Sequence, residues 1–175
     1  MAMHHRKGEI PKVSSAKAKK LLSNEEVKAH LESNYNLIKT YDIPYLAGYS
    51  KDGKHIYFDR HLKLITTPPD SFDVTNYLII HERVEKALID VFDYTYETAH
   101  AVALRCEYDA VVGDGHDWKK YSDYLKPFIK SAEHEKLEKV PGDLDLTPYE
   151  DDNDLDILNR LKKTTVKTNL RSIFK

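Results

Sequence analysis

Apolar residues recur with a helical period over most of residues 73–139 and with the density of strands over 45–59, and short polar or turn-forming stretches separate these blocks. Residues 1–22 lack a clear apolar period and read as a tail, with a short helix from Ser14 or Ser15 through Leu22. Ser23-Asn24-Glu25-Glu26 is a helix start, because a capping side chain followed by acids satisfies free N–H groups and complements the helix dipole. A helix is expected over 24–38, with Val27, His30, Leu31 and Leu37 on one face. Tyr45-Leu46-Ala47-Gly48-Tyr49-Ser50 and Lys54-His55-Ile56-Tyr57-Phe58-Asp59 flank an Asp52-Gly53 turn and form a hairpin.

Beyond Pro68-Pro69, which interrupts any regular element, Asp70, Ser71 or Asp73 can cap a helix over 73–93. A second helix is expected over 95–112, closed by Gly113 and Gly115, and a third over 117–139, with Trp118, Tyr121, Tyr124 and Leu125 on its apolar side and Pro127 at a kink. Residues 143–156 read as an extended acidic linker, followed by an amphipathic helix over 154–163 and a basic arm to Lys175. The pattern describes an α+β protein: a small β-hairpin or sheet packed on a mainly helical core, with extended basic tails. Residues 23–140 form the single globular domain, 1–22 the basic N-terminal tail, and 141–175 the acidic linker and basic C-terminal arm.

Charge changes this picture through its distribution. Lys and Arg number 27 and Asp and Glu 29, a net charge of −2, which argues against a global field for nucleic acid. Yet residues 1–20 are basic, 141–156 carry acids without bases, and 157–175 carry bases without acids, so both terminal regions are candidate contacts for protein partners. No run approaches the ~20 apolar residues of a membrane helix, and no apolar stretch follows the basic N-terminus, so a cytoplasmic protein is expected. The single cysteine, Cys106, excludes an internal disulfide framework and a Cys-rich zinc site, leaving metal chemistry to histidine and carboxylates.

Helical phase selects the residues for that chemistry. With His81 at zero on a wheel of ~100° per residue, Tyr77, Leu78, Val84, Leu88, Ile89 and Phe92 fall within about 80°, and Glu85 at about +40° shares their arc. Arg83, Lys86, Asp90 and Asp93 fall opposite. On the next helix, with His100 at zero, Tyr96, Ala103, Leu104, Ala110 and Val111 lie within about 80° and Glu107 at roughly −20°. Each helix thus aims a histidine and a glutamate inward.

Ionised carboxylates are rarely buried unless they are paired or bind a metal, because their desolvation costs several kcal/mol. A divalent metal accounts for both pairs: His81 and Glu85, one turn apart, bind one ion, and the second helix adds a third ligand from His100 or Glu107. These last two lie two turns apart, about 10 Å, so only one of them reaches the ion and the other supports a ligand. The alternative is a metal-free hydrogen-bond network of buried His and Glu.

His81-Glu82-Arg83-Val84-Glu85 resembles the HExxH helix of zincin metallopeptidases, with glutamate in place of the second histidine. The resemblance spans residues 45–112 and extends to the strand pair before the helix and the third ligand taken from the next helix, as in the thermolysin-like branch. It implies His81 and Glu85 as ligands, His100 or Glu107 as the third, and Glu82 as the catalytic base acting on metal-bound water. It also implies a peptide or protein substrate, with strand 54–59 similar to the edge along which an extended peptide lies. The function it implies is a metal-dependent hydrolase with zinc as its metal. The carboxylate at Glu85 suits Mn²⁺ or Fe²⁺ as well. The rival expectation is a noncatalytic structural subunit of a larger assembly, such as a virus particle, that keeps a zincin-like core.

Glu97-Thr98-Ala99-His100 also matches the Glu-x-x-His spacing of di-iron bundles, but the second copy such a site needs is missing. His55 and His61 flank a strand, His116 and His134 have polar surroundings, and the twelve tyrosines fit core and interface packing better than nucleic-acid stacking.

Overall fold

A computed structural model describes residues 10–173, and side chains over 10–165. The element order is α1 (Ser15–Leu22), α2 (Glu25–Glu32), β1 (Asn36–Tyr41), β2 (Ala47–Tyr49), β3 (His55–Asp59), α3 (Thr75–Phe92), α4 (Tyr96–Gly113), α5 (Trp118–His134), α6 (Thr147–Asp151) and α7 (Leu155–Ile173). The fold is mixed α+β, and the helices outweigh a three-stranded sheet of order β1-β3-β2.

The centre is the helix pair α3 and α4. Asp93 closes α3 in the left-handed conformation (φ 53°), and Thr95 then accepts the Thr98 N–H to start α4, so the chain reverses within a few residues. Ala99, Ala103 and Ala87 lie buried with Val84, Leu88 and Val102 where α1 and α2 pack onto this pair, and the small side chains let the helices approach closely. The sheet and α5 enclose the other flank around Tyr49, Phe58, Leu78, Val111, Trp118, Tyr121 and Leu125.

The hairpin forms as expected: β2 pairs antiparallel with β3 in the register Ala47 with Phe58 and Tyr49 with Ile56, and Gly53 has φ +70° in the turn. The helix expected over 24–38 ends at Glu32. Leu37 lies in β1, which runs parallel to β3 with Leu37 opposite Ile56. Apolar Leu37 and Ile38 beside Thr40 and Tyr41 suit a strand once the chain has left the helix at Ser33.

The stretch expected as an extended linker is folded. Leu144 and Tyr149 are buried with Ile43, Tyr57, Leu137 and Val140 on the outer face of the sheet, joined by Ile157, Leu158 and Leu161 of α7. Local acidity concealed this, because Leu144, Leu146 and Tyr149 suffice to anchor a segment whose acids face outward or pair with the body. At the other end, Arg105 donates to the carbonyls of Pro11 and Val13, and Ala18 is buried, so α1 packs on α4. Residues 1–9 of the expected basic tail lie outside the described residues. Among the described residues no helix is long and apolar enough to cross a membrane.

Candidate metal centre

The wheel placed His81, Glu85, His100 and Glu107 inward, and the structure brings all four together between α3 and α4. His81, Glu85 and Glu107 are buried at 3%, 2% and 0% exposure. Three donor atoms converge. His81 Nε2 lies 3.0 Å from His100 Nδ1 and 3.3 Å from Glu85 Oε2, and Glu85 Oε2 lies 3.0 Å from His100 Nδ1. Ligand atoms bound at ~2.0–2.1 Å around a tetrahedral zinc stand roughly 3.4 Å apart. The triangle is therefore close to one face of such a coordination sphere, and these three residues could hold a metal ion.

Glu107 stands behind this face. Its Oε2 meets His81 Nδ1 at 2.7 Å, and its Oε1 accepts the Tyr121 hydroxyl at 2.5 Å. A carboxylate on the far nitrogen of a ligating histidine fixes the ring's tautomer and orientation. Of the two third-ligand candidates, His100 is the one beside the donor atoms, and Glu107 supports His81. Two helical turns separate the two roles, and a sequence period cannot choose between them without the relative height of the helices.

Burial alone would discharge these groups, and their neighbours decide otherwise. Burial pushes the His81 imidazolium down, but the carboxylates of Glu107 and Glu85 outweigh it and hold the ring up to about 10. Burial likewise favours the neutral acid at Glu85, yet hydrogen bonds from His100 and His81 keep it ionised, well below the usual carboxylate range. Around them tyrosines act as donors. Tyr49 donates to Glu85 Oε1 at 2.9 Å and Tyr121 to Glu107 Oε1, while Tyr96 Oη lies 3.2 Å from His100 Nδ1 with no direction fixed for that contact. Burial, reinforced by Glu85, Glu82 and Glu107, pushes the phenols of Tyr49, Tyr96 and Tyr121 far up, so they stay protonated. The packing role expected of these tyrosines accounts for their rings and leaves out their hydroxyls.

Glu82 is 7% exposed and lines, with His81, Glu85 and His100, a cavity of about 30 Å³. That volume holds an ion with a water or two. Tyr45, Tyr49, Tyr96, Asp145, Pro148 and Tyr149 are among its other wall residues. The strand expected to receive a peptide is differently placed: β3 is the central strand, with both edges paired, so it offers no open edge. Near the cavity the outer edge belongs to β2, and residues 143–145 pair with its end at Tyr49 and with Ser50 and Lys51 beyond it.

Lys86, placed by helical phase on the outer face, is buried between Asp90 (2.8 Å) and Asp145 (2.9 Å). Glu97 is exposed, so the di-iron spacing has no counterpart at the centre. His55 contacts Asp143, His61 is exposed between Asp42 and Glu135, His116 stacks on Phe72, and His134 is exposed. Burial pushes the Cys106 thiol up to about 11, which disfavours a nucleophile. No protein family, curated protein or solved structure was found to match this chain.

Proposed function

We propose that the protein is a metal-dependent hydrolase, zincin-like in its site, with His81, Glu85 and His100 holding a divalent ion. Zinc fits best, with Mn²⁺ or Fe²⁺ compatible with the carboxylate. The observation that carries the reading is the triangle of donor atoms at 3.0, 3.0 and 3.3 Å with a carboxylate on the back of His81. When bound, the ion supplies a Lewis acid that polarises a carbonyl and acidifies water.

The chain's own residues do the rest. Glu107 orients His81, Tyr49 holds the non-ligating oxygen of Glu85, and Glu82 sits in the cavity wall to take a proton from the attacking water and return it to the leaving group. Tyr45, Tyr149 and Pro148 exclude bulk solvent. A peptide or protein is the substrate class that matches a site beside a strand edge.

Elemental analysis of the purified chain tests the metal, with one transition metal per chain expected. Absence of metal together with an unchanged melting temperature on chelation refutes the reading. Glu82→Gln then tests the chemistry: metal is retained and hydrolysis of unfolded casein is lost.

A second reading has its own observation. A cavity of about 30 Å³ beneath Pro148 and Tyr149 is too small for a peptide, which favours a noncatalytic subunit of an assembly in which the ion pins α3 to α4. One bound metal per chain with no casein turnover by the parent chain or by Glu82→Gln decides for that reading. Partners would then meet residues 1–22 and 141–175, and removing residues 1–9 would change the oligomeric state measured by light scattering.

A further inference from the structure

Residues 143–145 pair as a short bridge with the end of β2 and the two residues after it. Lys51 donates its N–H to Asp143 O at 2.9 Å, Asp145 donates its N–H to Tyr49 O at 2.9 Å, and Ser50 pairs antiparallel with Leu144 between these bonds. The side chain of Leu144 crosses Gly48, where a Cβ would come within 3.2 Å of its Cδ1, so the missing side chain of Gly48 admits it. Asp145 emerges on the cavity side and pairs with Lys86 at 2.9 Å. The chain then turns through α6 and sets Pro148 and Tyr149 in the cavity wall, with the Tyr149 ring 4.4 Å from that of Tyr45.

This is how an extended peptide adds to a sheet edge: main-chain bonds to the strand, with alternate side chains pointing to opposite faces. The chain's own segment fills the position that an extended substrate needs. We propose that residues 143–149 are an autoinhibitory strap, and that the centre admits an extended polypeptide on β2 only when this strap lifts. The inference rests on the hydrolase reading above and assigns its regulation.

Main-chain pairing, the Lys86–Asp145 ion pair, the Asp151 carboxylate on the Tyr96 N–H (2.7 Å) and the Tyr45 hydroxyl on Asp154 (2.9 Å) hold the segment. Leu144 and Tyr149 also pack in one cluster with Leu137 and Val140 and with Ile157, Leu158 and Leu161 of α7, so lifting the strap withdraws two side chains from a cluster that α7 keeps covered.

A reversible clip tests this in the full chain. Ser50 and Leu144 form the closely spaced, non-hydrogen-bonded kind of antiparallel pair, with a Cα separation near ~4.5 Å that a disulfide can span. Ser50→Cys with Leu144→Cys, in a Cys106→Ser background, locks the strap when oxidised and frees it when reduced. After loading with Zn²⁺, extraction by excess EDTA should slow at least tenfold on oxidation, and equal rates in the two states would overturn the proposal. Asp145→Asn needs no cross-link. It should speed extraction at least threefold and raise hydrogen exchange over 143–149 while α3 and α4 stay protected. A matching rise in α3 and α4 would show that the segment opens only with the whole fold, which also overturns the strap.

Casein hydrolysis separates the two ideas. Cleavage confined to the reduced clip supports both. Gated zinc exchange without cleavage keeps the strap and removes the hydrolase, and equal cleavage in both states does the reverse. If the chain takes up no Zn²⁺, the hydrolase reading falls, and the exchange pattern over 143–149 still decides whether the segment opens alone.

Discussion

Replacing Glu107 with glutamine separates a ligand from a residue that supports one. Glu107 is fully buried, and its two oxygens serve His81 Nδ1 at 2.7 Å and the Tyr121 hydroxyl at 2.5 Å. Glutamine has the same shape, so His81 Nδ1–H can still reach the amide oxygen, but the charge that strengthens the bond is gone. Outer partners of metal-bound histidines contribute about 10–100-fold in affinity, which corresponds to roughly 1.4–2.7 kcal/mol. Glu107→Gln should therefore weaken zinc binding by about that factor and keep a stoichiometry of one. His100→Ala removes a donor from the triangle and should weaken binding by a further order of magnitude or more. Competition titration against a chromophoric chelator measures both. If Glu107→Gln abolishes binding while His100→Ala leaves it within threefold, the roles are reversed and the geometric argument fails. If neither matters, the cluster is a buried hydrogen-bond network.

Glu82→Gln should leave zinc affinity within threefold while hydrolysis falls by about 10²–10⁴, the usual share of a general base; an equal loss of affinity would place Glu82 among the ligands. Tyr49→Phe keeps the ring but leaves Glu85 Oε1 without its 2.9 Å donor, and calorimetry should show a loss of about 1–3 kcal/mol. Leu88→Ala, at a fully buried contact of α3 with α4, should cost about 2–5 kcal/mol in denaturant unfolding, and a smaller loss would mean that the helices close over the gap. Burial and the carboxylates of Asp59 and Asp42 push Glu135 up to about 8, against the opposing Arg60. The folded state thus holds a proton that the unfolded chain releases above about pH 4.3. Stability from this group declines as pH rises from there through 8, so Glu135→Gln should flatten that slope and gain most at pH 8, and parallel curves would refute it.

Much of this arrangement was legible in the residues, for a definite reason. His81, Glu85, His100 and Glu107 sit on long helices whose phase is set by many apolar neighbours, so direction toward the core could be read. Height along the axis could not, and the choice between His100 and Glu107 depended on it. β1 was hidden because Leu37 also fits the face of the preceding helix, and its partner in β3, Ile56, 19 residues on, decides between the two. Residues 143–149 were hidden by their acids, since Asp145 is stable in its buried place only because Lys86 meets it across 59 positions. The tyrosine hydroxyls were hidden for the same reason: a phenol reads as packing until its acceptor is known.

Those phenols also give the centre its own optical reporter. Tyr49 and Tyr96 place aromatic rings against the side chains of Glu85 and His100, while the single tryptophan, Trp118, is packed against Tyr108 and Tyr121. A paramagnetic cation such as Mn²⁺ seated between the helices would quench tyrosine emission, and Tb³⁺ in the same place would luminesce under tyrosine excitation. Loading and release could then be followed in the native chain without a label.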